Sequence, residues 1–122
     1  MLNTPVTCEV RYRVDQGRIA EFQAYARTWI GLIERHGGTH HGYFIPREKP
    51  AGVGVSFPRV GEEGASDIAV ALFTFPDETT YLRYRSKVAE DPHGIAANAR
   101  FGENPPFDSY ERIFLQPLPG SN

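Results

Sequence analysis

Three of the four histidines of this chain lie in one short segment, from His36 to Tyr43. His40 and His41 are consecutive residues of a predicted strand, so their side chains point to opposite faces and cannot both bind one metal ion. No further ligand stands at a familiar spacing, and we expect no metal. His41 and Tyr43 would share one strand face, where they would serve as a general base and a hydrogen-bond donor beside a bound phenol or enol. The alternative is that the histidines bond to backbone at a strand edge and Tyr43 belongs to the core.

A second group of chemistry-bearing residues is the charged side of the first predicted strand, where Arg11 and Arg13 follow Glu9. Guanidinium groups can grip a carboxylate or another oxyanion through two hydrogen bonds. Alternatively, these charges form an ion-pair network that closes a barrel or a subunit interface, because buried charges must be paired. A slip of one residue in the last strand would change which of its charged residues points inward. The predicted ligand-binding residues are Arg11, Arg13, His41, Tyr43, Glu111 and Arg112, with His41 and Tyr43 as candidate catalytic residues.

The other residues of interest favour structural roles. Cys8 alternates with valines, which is typical of a buried, unreactive thiol. His93 follows a predicted helix cap and is expected at the surface. The aromatic stripe over 81–88 has helical spacing and is expected in the core. The glycines at 52–54 lack the strand-to-helix context of a dinucleotide-binding loop. No second indicator of haem accompanies His41, so no cofactor is predicted.

The hydrophobic periodicity predicts the elements that carry these residues. Val6 to Val14 alternates apolar and polar residues, which is typical of a strand with two unlike faces. From Arg18 the period becomes that of an amphipathic helix, which Gly37-Gly38 ends. Ile68 to Phe75 is apolar on both faces, as in a central strand covered on both sides. The remaining elements are a strand at 39–45, a helix capped by Asp77, a short helix at 93–101 after Asp91-Pro92, and a strand at 107–115.

Length and composition fit one ordinary globular domain. The chain has 122 residues, a formal net charge of −2 and a single cysteine. We expect one domain over 1–122, with a core at about 6–115, a long loop at 47–67 that contains a candidate short strand at 53–57, and a tail at 116–122. One cysteine excludes an internal disulfide framework, and the near-zero charge argues against nucleic-acid binding. No apolar run is long enough to span a membrane and no signal peptide is visible, so the expected compartment is the cytoplasm.

The order strand, helix, strand, strand, helix, strand is that of the split βαβ, or ferredoxin-like, α+β fold. Its helices cover one face of a four-stranded antiparallel sheet. The other face would be bare, although the doubly apolar strand at 68–75 makes an uncovered face unfavourable. A second copy of the chain is the simplest cover, which predicts a homodimeric α/β barrel or a higher oligomer built from it.

Five motifs follow one another in the chain: Glu34 to Gly38 with Gly42-Tyr43-Phe44, Ala71 to Asp77, Tyr84-Arg85, Asp91-Pro92, and Tyr110-Glu111-Arg112. Together they resemble the bacterial NIPSNAP-like family of the dimeric α/β-barrel superfamily, over about 10–115. The loop at 47–67 is longer than usual for that family. The resemblance implies a ferredoxin-like subunit and a dimer but no particular reaction, because related barrels include cofactor-free monooxygenases, isomerases, haem enzymes and ligand binders.

The sequence therefore favours a homodimer that binds a small acidic or aromatic molecule, either between the sheet and its own helices or inside the barrel. One alternative is a cofactor-free monooxygenase or isomerase acting on a small acidic or phenolic metabolite. In that case His41 would be the base, Tyr43 would orient the substrate, and Arg11 or Arg13 would stabilise an enolate. A further alternative is a ligand-free protein-interaction module that uses the loop at 47–67.

Overall fold

The computed structural model describes residues 4–120 of the chain. Strands and helices follow in the predicted order, with bounds shifted by at most two residues. A single 3-10 turn, Gln16–Arg18, precedes the first helix. The elements are β1 (Val6–Arg13), α1 (Ile19–Arg35), β2 (Thr39–Phe44), β3 (Ile68–Phe75), α2 (Glu78–Glu90), α3 (Pro92–Phe101) and β4 (Ser109–Leu115).

The four strands form one antiparallel sheet in the order β2-β3-β1-β4. This is the ferredoxin-like arrangement that the sequence predicts. Cys8, Val10 and Tyr12 of β1 are buried under the helices, and we call this side of the sheet the inner face. Glu9 and Arg11 point to the opposite side, the outer face. The alternation in β1 therefore separates an apolar face from a charged one, as its period of two requires.

The core lies between the inner face and the helices. Phe22 of α1 and Phe75 of β3 are fully buried, and Tyr84 and Val88 of α2 pack into the same cluster. Burying one large apolar side chain contributes about 1.5–3 kcal/mol to folding. The helices are thus held to the sheet mainly by the apolar stripes that their spacing predicts.

Three predicted helix ends are confirmed. The Asp77 carboxylate accepts a hydrogen bond of 2.7 Å from the Thr80 amide at the start of α2. Asp91 caps α3 in the same way, through the His93 amide at 2.8 Å. Gly37 follows α1 with a φ of 98°, a left-handed conformation that glycine adopts without a steric penalty.

Two features of the β2–β3 hairpin differ from the prediction. The register of β2 against β3 shifts between His40 and Gly42, which is a β-bulge. The segment 45–67 contains no strand or helix, so the candidate strand at 53–57 is not formed. An extended segment needs a neighbouring strand for its backbone groups, and none lies beside this one within residues 4–120.

Candidate functional site

A cavity of about 510 Å³ lies between the inner face and the helices. This volume is in the range of small-molecule sites, roughly 300–1,000 Å³. The only tryptophan, Trp29, contributes to its wall. All six tyrosines of the chain do so as well: Tyr12, Tyr25, Tyr43, Tyr81, Tyr84 and Tyr110.

Regular elements position these aromatic side chains. Tyr25 and Trp29 are four residues apart on α1 and therefore lie on one helix face. Tyr81 and Tyr84 are three residues apart on α2, and their rings lie 6.2 Å from each other. Side chains of β1, β2 and β4 complete the wall from the inner face of the sheet. Because helices and strands hold these groups, the cavity has a rigid aromatic lining.

Three phenols form a neutral cluster in the wall. The hydroxyl oxygens of Tyr12 and Tyr25 lie 3.3 Å apart, and the ring of Tyr43 stacks beside that of Tyr12 at 6.2 Å. Burial raises the pKa of all three phenols far above the ordinary value. They stay protonated at physiological pH and offer hydroxyl donors and acceptors without adding charge to the cavity.

Two guanidinium groups, those of Arg85 on α2 and Arg112 on β4, give the cavity its positive charge. Arg112 Nη1 donates to the Tyr81 hydroxyl at 3.5 Å, and the guanidinium carbon lies 4.7 Å from the centre of the Phe114 ring. Burial raises the pKa of the Tyr81 phenol, and both guanidiniums oppose that shift. Neither arginine pairs with a carboxylate within residues 4–120, whereas four other arginines do.

In the part of the wall that residues 4–120 form, the cavity has no side chain that is an ordinary base. Of the residues that the structure describes, no aspartate, glutamate, lysine or histidine lines it. Burial raises the pKa of the Tyr84 phenol to about 12, so this group too keeps its proton at neutral pH. The arrangement is suited to stacking an aromatic ring and attracting an anion.

The structure divides the predicted ligand-binding residues between the two faces. Arg11 Nε lies 2.6 Å from a Glu9 carboxylate oxygen, and an Arg13 nitrogen lies 3.0 Å from Asp67. These pairs are partly exposed, and such pairs contribute at most about 1 kcal/mol. A ligand role for the outer-face group stays a prediction, and it would operate away from the cavity. Tyr43 and Arg112 line the cavity, whereas Arg11, Arg13, His41 and Glu111 lie on the outer face.

The β-bulge corrects the expectation that His41 and Tyr43 share a strand face. The extra residue of the bulge leaves His40 and Tyr43 together, with their rings stacked at 4.9 Å. His41 Nε2 instead lies 2.9 Å from the Thr74 hydroxyl on the outer face. A base at position 41 therefore cannot reach a ligand that contacts Tyr43. The sequence signal for the bulge is Gly42, a glycine inside a strand pattern, whose φ is 112°.

His40 takes the place beside the cavity wall that was expected for its neighbour. Its Nδ1 accepts a hydrogen bond of 2.9 Å from the Gly42 amide, so the proton of the neutral ring lies on Nε2. Desolvation lowers the pKa of the ring to about 4. His40 is thus neutral at physiological pH. The lone pair of its Nδ1 already accepts the hydrogen bond from the Gly42 amide, so it is not available to act as a base.

A polar cluster joins the ends of α1 and α3 outside the cavity. The Asp91 carboxylate lies 2.8 Å from His36 Nε2 and 3.2 Å from Arg35 Nη1, besides capping α3. The His36 hydrogen bond, followed by that from the His93 amide, lowers the pKa of this carboxyl to about 2. The sequence predicts only the cap. The cluster fixes the helices that frame the cavity, and His93 itself is exposed, as predicted.

The family assignment follows from a comparison with known protein families. A family model described as NIPSNAP matches residues 9–122, almost the whole chain. The chain belongs to the NIPSNAP family. No curated protein matches it.

Solved structures of NIPSNAP proteins have the same fold. One from Agrobacterium tumefaciens is 20% identical and gives a TM-score of 0.69, with 99% of this chain and 92% of that chain covered. An uncharacterized NIPSNAP domain protein from Burkholderia xenovorans is 18% identical, with a TM-score of 0.67 and coverage of 96% and 98%. A putative antibiotic biosynthesis monooxygenase from Nitrosomonas europaea is 10% identical, with a TM-score of 0.59 and coverage of 100% and 98%. At these identities the likeness shows the fold alone.

The part of this NIPSNAP chain that the structure describes contains no cluster of three histidine, cysteine or acidic residues able to hold a metal ion. Within the same residues, no helix is long and apolar enough to cross a membrane. The charged cavity-lining residue that the sequence analysis did not propose for the site is Arg85. Its signal is its place four residues after Tyr81, which puts a cation on an otherwise apolar helix face.

Proposed function

We propose that this NIPSNAP protein is a homodimer that binds a small aromatic acid in the cavity of each subunit. The observation that carries the proposal is the pair of guanidiniums, Arg85 and Arg112, which have no carboxylate partner within residues 4–120 and lie in a wall made mostly of aromatic and apolar groups. An arginine hydrogen-bonds a carboxylate with matching geometry, and aromatic rings stack favourably on one another. The ligand would place its carboxylate at the two arginines and its ring among the tyrosines.

The wall that residues 4–120 form contains no general base, and this favours a binding protein over an enzyme. A cofactor-free oxygenase or isomerase must remove a proton from its substrate, and general bases act best with a pKa near neutrality. The buried phenols hold their protons at that pH. The base expected from the sequence, His41, lies on the outer face beside Thr74.

The homodimer is supported by the composition of the outer face. Val70 and Leu72 of β3 lie on it, in register with Phe44 of β2 and the central strand β1. Ile113 and Leu115 of β4 add apolar side chains on the far side of β1, whose own outer side chains are polar, and Leu115 is 44% exposed. Among the described residues, the helices cover the inner face and leave the outer face bare. Packing two outer faces against each other would remove this surface from water through an isologous contact.

Trp29 supplies a direct test of ligand binding because it is the only tryptophan and lines the cavity. Its emission is recorded while phenylbutyrate, phenylbutanol or hexanoate is added. Phenylbutyrate should change the emission at the lowest concentration, because it alone has both a ring and a carboxylate. Phenylbutanol lacks the charge, and hexanoate lacks the ring, so both should bind at least about tenfold more weakly.

The second test is a native mass spectrum of the gently purified protein, which gives the mass of the assembly and of any bound ligand. Twice the chain mass plus a discrete additional mass would support both the dimer and an endogenous ligand. If phenylbutyrate binds no better than phenylbutanol, the carboxylate assignment is wrong. If no probe changes the Trp29 emission and no additional mass is present, the binding proposal fails.

A further inference from the structure

The loop between β2 and β3 exposes an unusual set of apolar side chains. Phe57 is 75% exposed and Val60 is 88% exposed, and Val53 and Val55 also face water. We call residues 53–60 the loop arm. Single exposed apolar residues are common on protein surfaces, but four within eight positions form a patch, and such patches mark interaction sites.

The loop arm is held by contacts inside its own loop. Lys49 Nζ lies 3.4 Å from a Glu63 carboxylate oxygen, which brings the two sides of the loop together. At the tip, the amides of Val60 and Gly61 both donate to the Phe57 carbonyl, at 3.0 Å and 2.6 Å. Within the described part of the chain, all hydrogen bonds of residues 47–66 stay in this loop. The apolar side chains are therefore presented outward by a folded loop.

The pattern of the loop arm is that of an unpaired strand. Val53, Val55 and Phe57 alternate with Gly54 and a serine, so extended backbone would place the three apolar side chains on one side. Within residues 4–120 no strand lies beside this side, so the backbone of the segment has no partner to pair with. A surface from outside the subunit would complete it.

The size of the outer face helps to identify the surface that the loop arm contacts. Four strands about 4.8 Å apart and up to eight residues long give a plane of roughly 500 Å². A stable interface ordinarily buries about 800 Å² on each partner. A dimer built on the sheet alone would thus lie at the small end of stable interfaces, and contacts from the loop would enlarge it. Phe44, the last residue of β2, is exposed on the outer face, so the chain enters the loop from an apolar position of that face.

We propose that the loop arm packs its apolar side against a second copy of this chain and completes the interface that begins on the outer face. This inference rests on the proposed homodimer and adds a specific contact to it. In each dimer two arms, related by the two-fold axis, would each contact the partner subunit. The residues that carry the contact are Val53, Val55, Phe57 and Val60.

The first test compares two double variants by sedimentation equilibrium. Phe57→Ser with Val60→Ser removes apolar groups from the loop arm. Leu82→Ser with Ile95→Ser is the matched control, because these residues are 56% and 55% exposed but lie on α2 and α3. The arm variant should weaken dimerisation at least about 30-fold, since two apolar side chains lose their burial. The control should dimerise like the wild type, and equal circular dichroism spectra would show that all three proteins fold.

The second test identifies what the arm touches. Phe57→Cys is labelled with a maleimide that carries a photoreactive benzophenone. The native Cys8 is fully buried, and burial raises the pKa of its thiol to about 11, so at neutral pH the label goes to the new site. Irradiation should yield a cross-linked dimer of twice the chain mass, and peptide mass spectrometry should locate the link on the other subunit.

The outcomes separate this inference from the dimer itself. If the wild type dimerises and the arm variant dimerises equally well, the arm contact is wrong and the dimer stands. If the wild type is a monomer at every concentration, both proposals fail. Cross-links found only within one subunit, or only to a different protein, would also overturn the arm contact.

Discussion

Replacing Arg112 by glutamine tests whether its guanidinium anchors an anion or holds the fold. The side chain projects from β4 into the cavity and has no carboxylate partner in residues 4–120. Its contacts are a hydrogen bond of 3.5 Å to the Tyr81 hydroxyl and a cation–π contact with Phe114 at 4.7 Å. Glutamine keeps a hydrogen-bond donor but removes the charge, so Arg112→Gln isolates the electrostatic contribution.

The two roles predict different magnitudes. A hydrogen bond between a charged group and its ligand contributes about 1.5–3 kcal/mol, so the Kd for phenylbutyrate should rise roughly 10- to 150-fold. The contribution of Arg112 to stability should be small, because an exposed cation–π contact contributes about 0.5–1 kcal/mol. The Tm should therefore fall by only a few degrees.

Isothermal titration calorimetry gives the Kd, and differential scanning calorimetry gives the Tm of the ligand-free protein. Arg83→Gln is the control, because Arg83 is an exposed arginine of α2 that does not line the cavity. Binding of phenylbutanol should be unchanged in both variants. An Arg112→Gln protein that binds phenylbutyrate as well as the wild type would refute the anchoring role. A drop in Tm as large as that of a core substitution would show that Arg112 is structural.

Three further predictions concern the stability of the subunit and its assembly. Gly38→Ala should destabilise the protein by about 1–3 kcal/mol, measured by thermal unfolding, because its Cβ would lie 2.9 Å from the buried Phe75 ring; Gly31→Ala has open space and should not. The His40 ring, with a pKa lowered from 6.5 to about 4, should make wild-type stability fall as the pH drops from 6.5 to 4. His40→Asn, which keeps an acceptor for the backbone, should flatten that part of the stability curve. Leu72→Glu should abolish the dimer in sedimentation experiments, and a variant that dimerises normally would contradict an interface on the outer face.

The fold could be predicted because its signals are local. The alternation along β1, the apolar β3 and the caps at Asp77 and Asp91 each fix an element or a boundary within a few residues. The order of these elements then leaves few topologies for one sheet. The prediction was wrong for 53–57, where a strand pattern has no neighbouring strand within the described residues, because pairing is a property of the tertiary structure.

The site was predicted less well because one inserted residue reverses a strand face. The bulge moves His41 away from Tyr43 and brings His40 to it. From the sequence, Arg85 stood out only through the Tyr84-Arg85 motif and received no site role, since helical spacing shows which residues share a face but not whether that face borders a void. A cavity depends on how the volumes of distant side chains add up. No local pattern in the sequence records that.

The distribution of charge over the two faces argues that the ligand of the inner face is an anion. On the outer face, Arg11 and Arg13 already pair with acidic neighbours, so that face needs no external counter-ion. In the cavity, Arg85 and Arg112 are both near Cys8 and Tyr81, where each opposes the rise in the pKa of the acid. Both side chains are exposed, so water and salt screen their charges, and a bound carboxylate adds charged hydrogen bonds to them. Binding of an anion should therefore stabilise this subunit beyond the contribution of the ring contacts, and this additional stabilisation should decrease as salt is added.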